Sequence, residues 1–184
     1  MGVNEPLVSV GMPVYNGGTL VLRALNSIMS QTYSNVEIII SDDASTDNSV
    51  ILIEEVIRGK DNIVLIKRRD NCGAVVNFSS VFNASRGKYF MWMAQDDFRA
   101  SGYIESVVKE LERDGSISIC HSIYTEVLNG SELRQVRNLN ELSLMGSPVK
   151  RFRYAYTSNI GSTAFYGLIR VEALKKTDGW INYP

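Results

Sequence analysis

The chain has 184 residues, 45% of them hydrophobic and 21% charged, which suits a globular domain with a sizeable core and excludes a disordered chain. Nineteen basic against twenty acidic residues leave a formal charge of −1, without the basic excess that nonspecific binding to nucleic acid or an anionic membrane needs. No basic-then-apolar leader opens the chain and no apolar run reaches roughly 18 residues, so no transmembrane segment is expected and the reading is cytoplasmic.

Residues 7–12 read as a first strand, and Pro13-Val-Tyr-Asn-Gly-Gly18 as a loop of turn formers. From Thr19 a helical pattern sets in, with Val21, Leu25, Ile28 and Met29 on one face and an end near Gln31. Residues 36–40 form a second buried strand that runs into Ser41-Asp-Asp-Ala-Ser-Thr-Asp47. There Ser45 or Thr46 would cap a helix that carries Val50, Ile53 and Ile57 and stops at Gly59. A third strand at 63–66 leads through Lys67-Arg-Arg69 and a turn at Asp70-Asn-Cys-Gly73 into a helix over 75–84. Residues 89–93 are large and apolar, a short strand buried on both faces, and they run straight into Asp96-Asp97. Gly102 opens a helix with Ile104, Val107, Val108 and Leu111 on one face. Four alternations of strand and helix predict a parallel sheet with right-handed crossovers.

Beyond Asp114 the pattern changes. Residues 118–128 and 132–137 read as strands of a hairpin turned at Asn129-Gly130, an antiparallel addition to the parallel half. Residues 138–156 have weak periodicity and carry no assignment; 163–169 read as another strand and 171–176 as a short helix. There is no repeat and no sign of a second domain, so residues 1–184 are expected to form one domain. It stops at Pro184 without a closing element, as a domain cut short would. Cys72 and Cys120 have no ligand spacing and read as buried reduced thiols, with a single bridge the alternative. His121, the only histidine, reads as a packed residue on a strand, and Trp92 as core.

Two strands end in Asp-Asp, at Asp42-Asp43 and Asp96-Asp97. Parallel strands end along one edge of the sheet, the edge where open α/β sheets bind ligands, so both pairs should face one crevice. Adjacent carboxylates repel unless a cation lies between them and a partner. A divalent ion such as Mg²⁺ takes carboxylate oxygens and leaves positions for phosphate. The plainer alternative for each pair is a turn whose Asp caps the next helix.

Six segments occur in a telling order: Val8-Ser-Val-Gly-Met-Pro-Val-Tyr-Asn16, Ser30-Gln-Thr-Tyr33, Ile40-Ser-Asp-Asp-Ala-Ser-Thr-Asp47, Asn71-Cys-Gly73, Arg86-Gly-Lys-Tyr89 and Gln95-Asp-Asp97. Together they resemble the family 2 glycosyltransferases of the GT-A fold, strongly over residues 7–97 and more loosely over 163–180. The resemblance implies a Rossmann-like, three-layer α/β/α sandwich. Its implied activity is inverting transfer of a sugar from a nucleotide-diphosphate-sugar, UDP-sugar favoured, to an acceptor hydroxyl. The setting would be bacterial-type polysaccharide, lipopolysaccharide or glycolipid synthesis, with a saccharide or lipid-linked acceptor.

By the same resemblance Pro13 and Tyr15 would wall the nucleotide base, and Asp43 would accept a hydrogen bond from it, with Asp42 alongside. Gly73 would pass close to the nucleotide, Asp96 would reach the ribose or sugar, and Asp97 would hold Mn²⁺ or Mg²⁺ on the diphosphate. The family often has an acid where Gln95 stands, which leaves one acidic pair for the metal. The general base is expected beyond Pro184, and Asp178 does not match it. Such a fragment would bind donor better than it transfers sugar, and any membrane association would come through regions outside it. Arg170 would face the acceptor side. Competing readings are a non-catalytic nucleotide-binding module, a Mg²⁺-dependent receiver-like domain and a nucleotidyltransferase. The last normally has a basic, glycine-rich first loop, and here no Lys or Arg occurs between Met12 and Arg23.

Overall fold

The computed structural model describes residues 5–122, 124–128, 131–136, 147 and 165–176. By internal packing the chain divides into two units, Met1–Cys120 with Leu168–Pro184, and His121–Gly167.

The first unit is built on a six-stranded sheet. Its strands are β1 (Val8–Val14), β2 (Val36–Asp42), β3 (Ile63–Lys67), β4 (Tyr89–Trp92), β5 (Ile119–Cys120) and β8 (Leu168–Arg170). They lie in the order β3-β2-β1-β4-β8-β5. β1, β2, β3 and β4 are mutually parallel, and β8 runs antiparallel to both β4 and β5. The chain steps outward from β1 to β3 and then returns to β4 on the other side of β1. The crevice at the carboxyl ends of β1 and β4 is therefore the point where the winding reverses.

Every residue of β1, β2 and β4 is buried, as expected for parallel strands covered on both faces. Four helices do most of the covering: α1 (Leu20–Met29), α2 (Ser49–Ile57), α3 (Ala74–Asn83) and α4 (Tyr103–Arg113). Val21, Leu25, Ile53, Ile104, Val107 and Leu111 from α1, α2 and α4 pack against Val10, Met12, Ile38, Ile40, Met91 and Met93 in one cluster. On the other face α3 sends Val81 and Phe82 toward Phe90 and Trp92. The Phe90 and Trp92 rings meet edge to face at 4.8 Å. Full burial of one such aromatic contributes roughly 1.5–3 kcal/mol. Three layers result, as the motifs implied.

β1 continues two residues past the predicted strand, through Pro13. Gly11 O accepts from Met93 N and Val14 O from Asp43 N. Pro13 thus turns its missing N–H toward the β4 side, beyond the last β1–β4 pair at Gly11 and Trp92, where the ladder needs no donor.

Two sequence expectations need correction. Residues 118–128 are not one strand: Ile119–Cys120 joins the large sheet, while β6 (Tyr124–Leu128) pairs with β7 (Ser131–Val136) in the second unit. Asn129-Gly130 lies outside the described residues, as does the unassigned stretch 138–156 apart from Ser147. The strand expected at 163–169 is shorter and later, at Leu168–Arg170, and Phe165 to Gly167 are not extended. A five-residue helix, α5 (Val171–Lys175), follows directly.

Candidate functional site

Because β2 and β4 both run parallel to β1, Asp42-Asp43 and Asp96-Asp97 leave the sheet along one edge, on either side of the end of β1. The loops between them are knitted by side-chain hydrogen bonds. After β1 the chain turns at Asn16, a non-glycine residue with φ 49°, and Asn16 N donates to Ser45 Oγ at 2.9 Å. Asn16 Oδ1 accepts from Thr46 N at 2.9 Å. Gly18 N donates to Asp47 Oδ2 at 2.9 Å, and Asp47 Oδ1 takes the Ser49 hydroxyl and N–H. Those bonds, led by Ser49, hold the Asp47 carboxyl below its ordinary range. Ser45 and Thr46 therefore do not cap α2 as the sequence suggested. The helix starts later, at Ser49, and they brace the β1 loop instead.

Asp43, 2% exposed, holds the loop after β3. Its two oxygens accept Cys72 N at 2.9 Å and Gly73 N at 2.8 Å, and Arg68 Nε lies 3.9 Å away. Gly73 has φ 84° and ψ 164°, a conformation that only glycine adopts without strain, so the turn into α3 depends on its missing Cβ. Asp42 is equally buried but less engaged: Oδ2 accepts Ser45 N at 3.0 Å, while Oδ1 has no hydrogen-bond partner. A second buried acceptor, Asn77 Oδ1, is also without a partner, although its Nδ2 donates to Val14 O at 3.2 Å. Buried polar atoms are nearly always satisfied, and these two acceptors near the end of β1 are exceptions within the protein.

Asp96 and Asp97 are exposed on the loop after β4. Surrounding protein raises the Asp97 carboxyl above its ordinary value; Arg99 opposes that shift and the Asp96 charge adds to it. Among the described residues no three His, Cys, Asp or Glu side chains form a metal cluster. Two hard carboxyl donors suit Mn²⁺ or Mg²⁺, but as part of a shell that a ligand's oxygens complete, so the residues fit a cation shared with a phosphate. Tyr15, 47% exposed, stands on the β1 loop between the two pairs, while Pro13 is buried in β1 beneath it. The six residues expected at the nucleotide and the one at the metal thus all lie at one edge of the sheet.

Other candidates fall away from that edge. Arg170 does not face an open side: its guanidinium donates to Leu111 O at 2.8 Å, Ile117 O at 3.2 Å and the Tyr89 hydroxyl at 3.1 Å, tying β8 to α4 and β4. Trp92 is core, with its indole N–H on Phe78 O at 3.1 Å. Cys72 and Cys120 form no disulfide; Cys120 is half-buried, and Cys72 is exposed rather than buried, because its backbone, not its thiol, faces Asp43. His121 lies just past β5 rather than on a strand, with Nδ1 3.1 Å from Ser122 O. A groove of about 700 Å³ opens beside β3 and α3, lined by Lys67, Arg68, Arg69 and Ser80 among others, and none of the four aspartates lines it. Gln95, noted in the sequence for its place directly before the acidic pair, and Asn77 also belong to this edge, Gln95 through both polar groups of Tyr15 and Asn77 through Val14 O.

The family model for glycosyl transferase family 2 matches residues 9–178. An uncharacterized glycosyltransferase of Haemophilus influenzae is 34% identical over 125 residues, 68% of this chain and 38% of that protein. One from Rickettsia felis is 31% identical over 154 residues, 79% of this chain and 25% of that protein. The match covers between 15% and 41% of the length of such curated relatives. Among solved structures, Staphylococcus aureus TarS 1-349 in complex with UDP superposes with a TM-score of 0.68 at 20% identity, over 94% of this chain and 49% of that one. The mannosyltransferase PcManGT of Pyrobaculum calidifontis, in complex with GDP-Man and Mn²⁺, gives 0.58 at 21%, over 64% and 35%. With the parallel sheet, the reversal point and both aspartate pairs in place, this chain has the GT-A fold and belongs to glycosyl transferase family 2.

Proposed function

We propose that this domain binds a nucleotide-diphosphate-sugar, UDP-sugar favoured, across the carboxyl edge of its sheet and presents the sugar for transfer to an acceptor hydroxyl with inversion. The observation that carries this reading is the placing of the acids. Asp42, buried with one oxygen bare, lies on one side of Tyr15, and the exposed Asp96-Asp97 pair lies on the other. The base packs against the Tyr15 ring and is read at the Asp42-Asp43 pair. A carboxylate offers about four lone-pair positions, so Asp43 can hold the Gly73 turn and still accept from the base. Asp96 reaches toward ribose or sugar. Asp97 would hold a divalent cation, which when bound would neutralise the charge that grows on the diphosphate leaving group. No residue of this chain is assigned as the base for the acceptor proton. The complexes of TarS with UDP and with UDP-GlcNAc support the donor class, and that of PcManGT with Mn²⁺ supports the cation.

Bacterial polysaccharide, lipopolysaccharide or glycolipid synthesis, at the cytoplasm or its membrane face, is the setting that this donor chemistry and the bacterial relatives favour. The test is calorimetry of UDP with and without Mn²⁺. Mn²⁺ should strengthen binding by roughly 50-fold, about 2.3 kcal/mol, in the parent chain and not at all in Asp97→Ala. Equal strengthening in both places the cation elsewhere, and no UDP binding in either overturns the reading.

A further inference from the structure

The crevice between the ends of β1 and β4 is bridged by one side chain. Gln95 Oε1 accepts the Tyr15 N–H at 2.9 Å, and Gln95 Nε2 donates to the Tyr15 carbonyl at 3.2 Å. Both polar groups of one peptide residue are thus held by a single amide from 80 positions away. Only an amide of this length makes both bonds: an acid in place of Gln95 loses the donor when ionised, and a shorter amide loses reach. The fit extends to Gly17, where an added Cβ would stand 2.9 Å from Gln95 Oε1 and 3.1 Å from its Cδ. No backbone ladder joins the two strands here, because β1 and β4 part after Gly11 and Trp92. From the β2 side Tyr15 is braced through its neighbours, by Asp43 N on Val14 O and by the Asn16 bonds to Ser45 and Thr46.

We propose that Gln95 is a positioning residue that ties the Tyr15 loop to the Asp96-Asp97 loop, so that the base-binding and metal-binding halves of the donor site hold one spacing. The proposal rests on the nucleotide reading given above, and it assigns Gln95 no contact with the ligand. Gln95 is adjacent to the metal pair in sequence yet acts on the base. Its loss therefore weakens a ligand that has no phosphate at all, through Tyr15.

Two readouts on the intact chain separate the clamp from the function. The first needs no ligand: amide hydrogen exchange at Tyr15. In the parent the Tyr15 N–H should be protected, and in Gln95→Met, of similar length but without hydrogen bonds, its exchange should rise by roughly tenfold. The Met93 amide, which donates to Gly11 O within the sheet, should stay protected and shows that the variant is folded. Gln95→Glu keeps an acceptor for the Tyr15 N–H and should retain most of the protection.

The second readout is binding of uridine, without phosphate or metal. Affinity should fall about tenfold in Gln95→Met and by less in Gln95→Glu. Fast Tyr15 exchange already in the parent overturns the clamp, and so does full uridine affinity in a Gln95→Met chain that has lost its Tyr15 protection. Protection as predicted in a parent that binds neither uridine nor UDP overturns the nucleotide reading, and with it the role assigned to Gln95.

Discussion

At the edge where β1 begins, Glu37 is a buried acid with every need met. It is 6% exposed and accepts Ser9 Oγ at 2.6 Å, Arg86 N at 2.7 Å and the Arg86 guanidinium at 2.9 and 2.7 Å. Ser9 Oγ in turn accepts Gly87 N at 2.8 Å, which closes the network. At the edge where β1 ends, Asp42 is buried to a similar degree with one oxygen unmet, and Asp96 and Asp97 are exposed on the loop after β4. The same sheet thus carries acids for two purposes. Where partners are complete, the acid holds strands and a loop together; where an acceptor is left over, the acid contributes less to the fold, which fits the ligand role proposed for it.

The comparison predicts opposite responses to mutation. The largest effect is expected at the satisfied edge. A Cβ on Gly87 would sit 2.6 Å from both Ser9 Oγ and the Tyr89 carbonyl oxygen, and 2.8 Å from that of Leu7. Two of those atoms are backbone, one in β4 and one directly before β1, and cannot step aside. Gly87→Ala should therefore cost about 3 kcal/mol in urea unfolding and leave UDP affinity of the folded chain unchanged. A cost near zero would mean that the edge is looser than the network implies.

The next effect belongs to the unmet edge and has the opposite character. Asp42→Asn should weaken UDP by about tenfold, near 1.4 kcal/mol, while stability stays within about 1 kcal/mol of the parent. Asp43→Asn should lose both, because an amide nitrogen would then face one of the Cys72 and Gly73 N–H groups that the two carboxyl oxygens now accept. Calorimetry beside urea melts checks the pair. An Asp42→Asn chain that melts early yet binds UDP normally would reverse the contrast.

The smallest effect is in acid. Burial alone would raise the Glu37 carboxyl, but the bonds from Ser9 and Arg86 outweigh it and hold the group below the ordinary glutamate value. A depressed pKa contributes stability above the unfolded value, roughly 4.3, and loses it as pH falls through the folded value. Stability should decline below about pH 4.3 by about 1 kcal/mol more in the parent than in Glu37→Gln, read from urea melts across that range. Equal declines would locate the acid-sensitive group elsewhere.

The contrast between the edges also marks what a sequence reveals. Val21, Leu25 and Ile28 of α1, Ile104, Val107, Val108 and Leu111 of α4, and the runs of β1, β2 and β4 were legible because their burial follows local period. Asp42-Asp43 and Asp96-Asp97 were legible as acids at strand ends. How those acids are used was not. Asp43 closes on Cys72 across 29 residues, Gln95 on Tyr15 across 80, and Glu37 on Arg86 across 49. Such bonds follow from which loops the fold brings together, and periodicity carries no record of that. For the same reason Ser45 and Thr46 looked like helix caps: their local chemistry permits a cap, and the neighbouring β1 loop takes their hydrogen bonds instead. The split of residues 118–128 between two sheets is likewise decided by partners, β8 for Ile119–Cys120 and β7 for Tyr124–Leu128.

A crystal grown with UDP and Mn²⁺ and measured at the manganese edge tests the central claim most directly. The account predicts an anomalous peak at the Asp97 carboxyl, diphosphate oxygens on that peak, and the base lying on Tyr15 beside Asp42 and Asp43. Nucleotide density in the groove beside β3 and α3, or a manganese peak remote from Asp97, would contradict it.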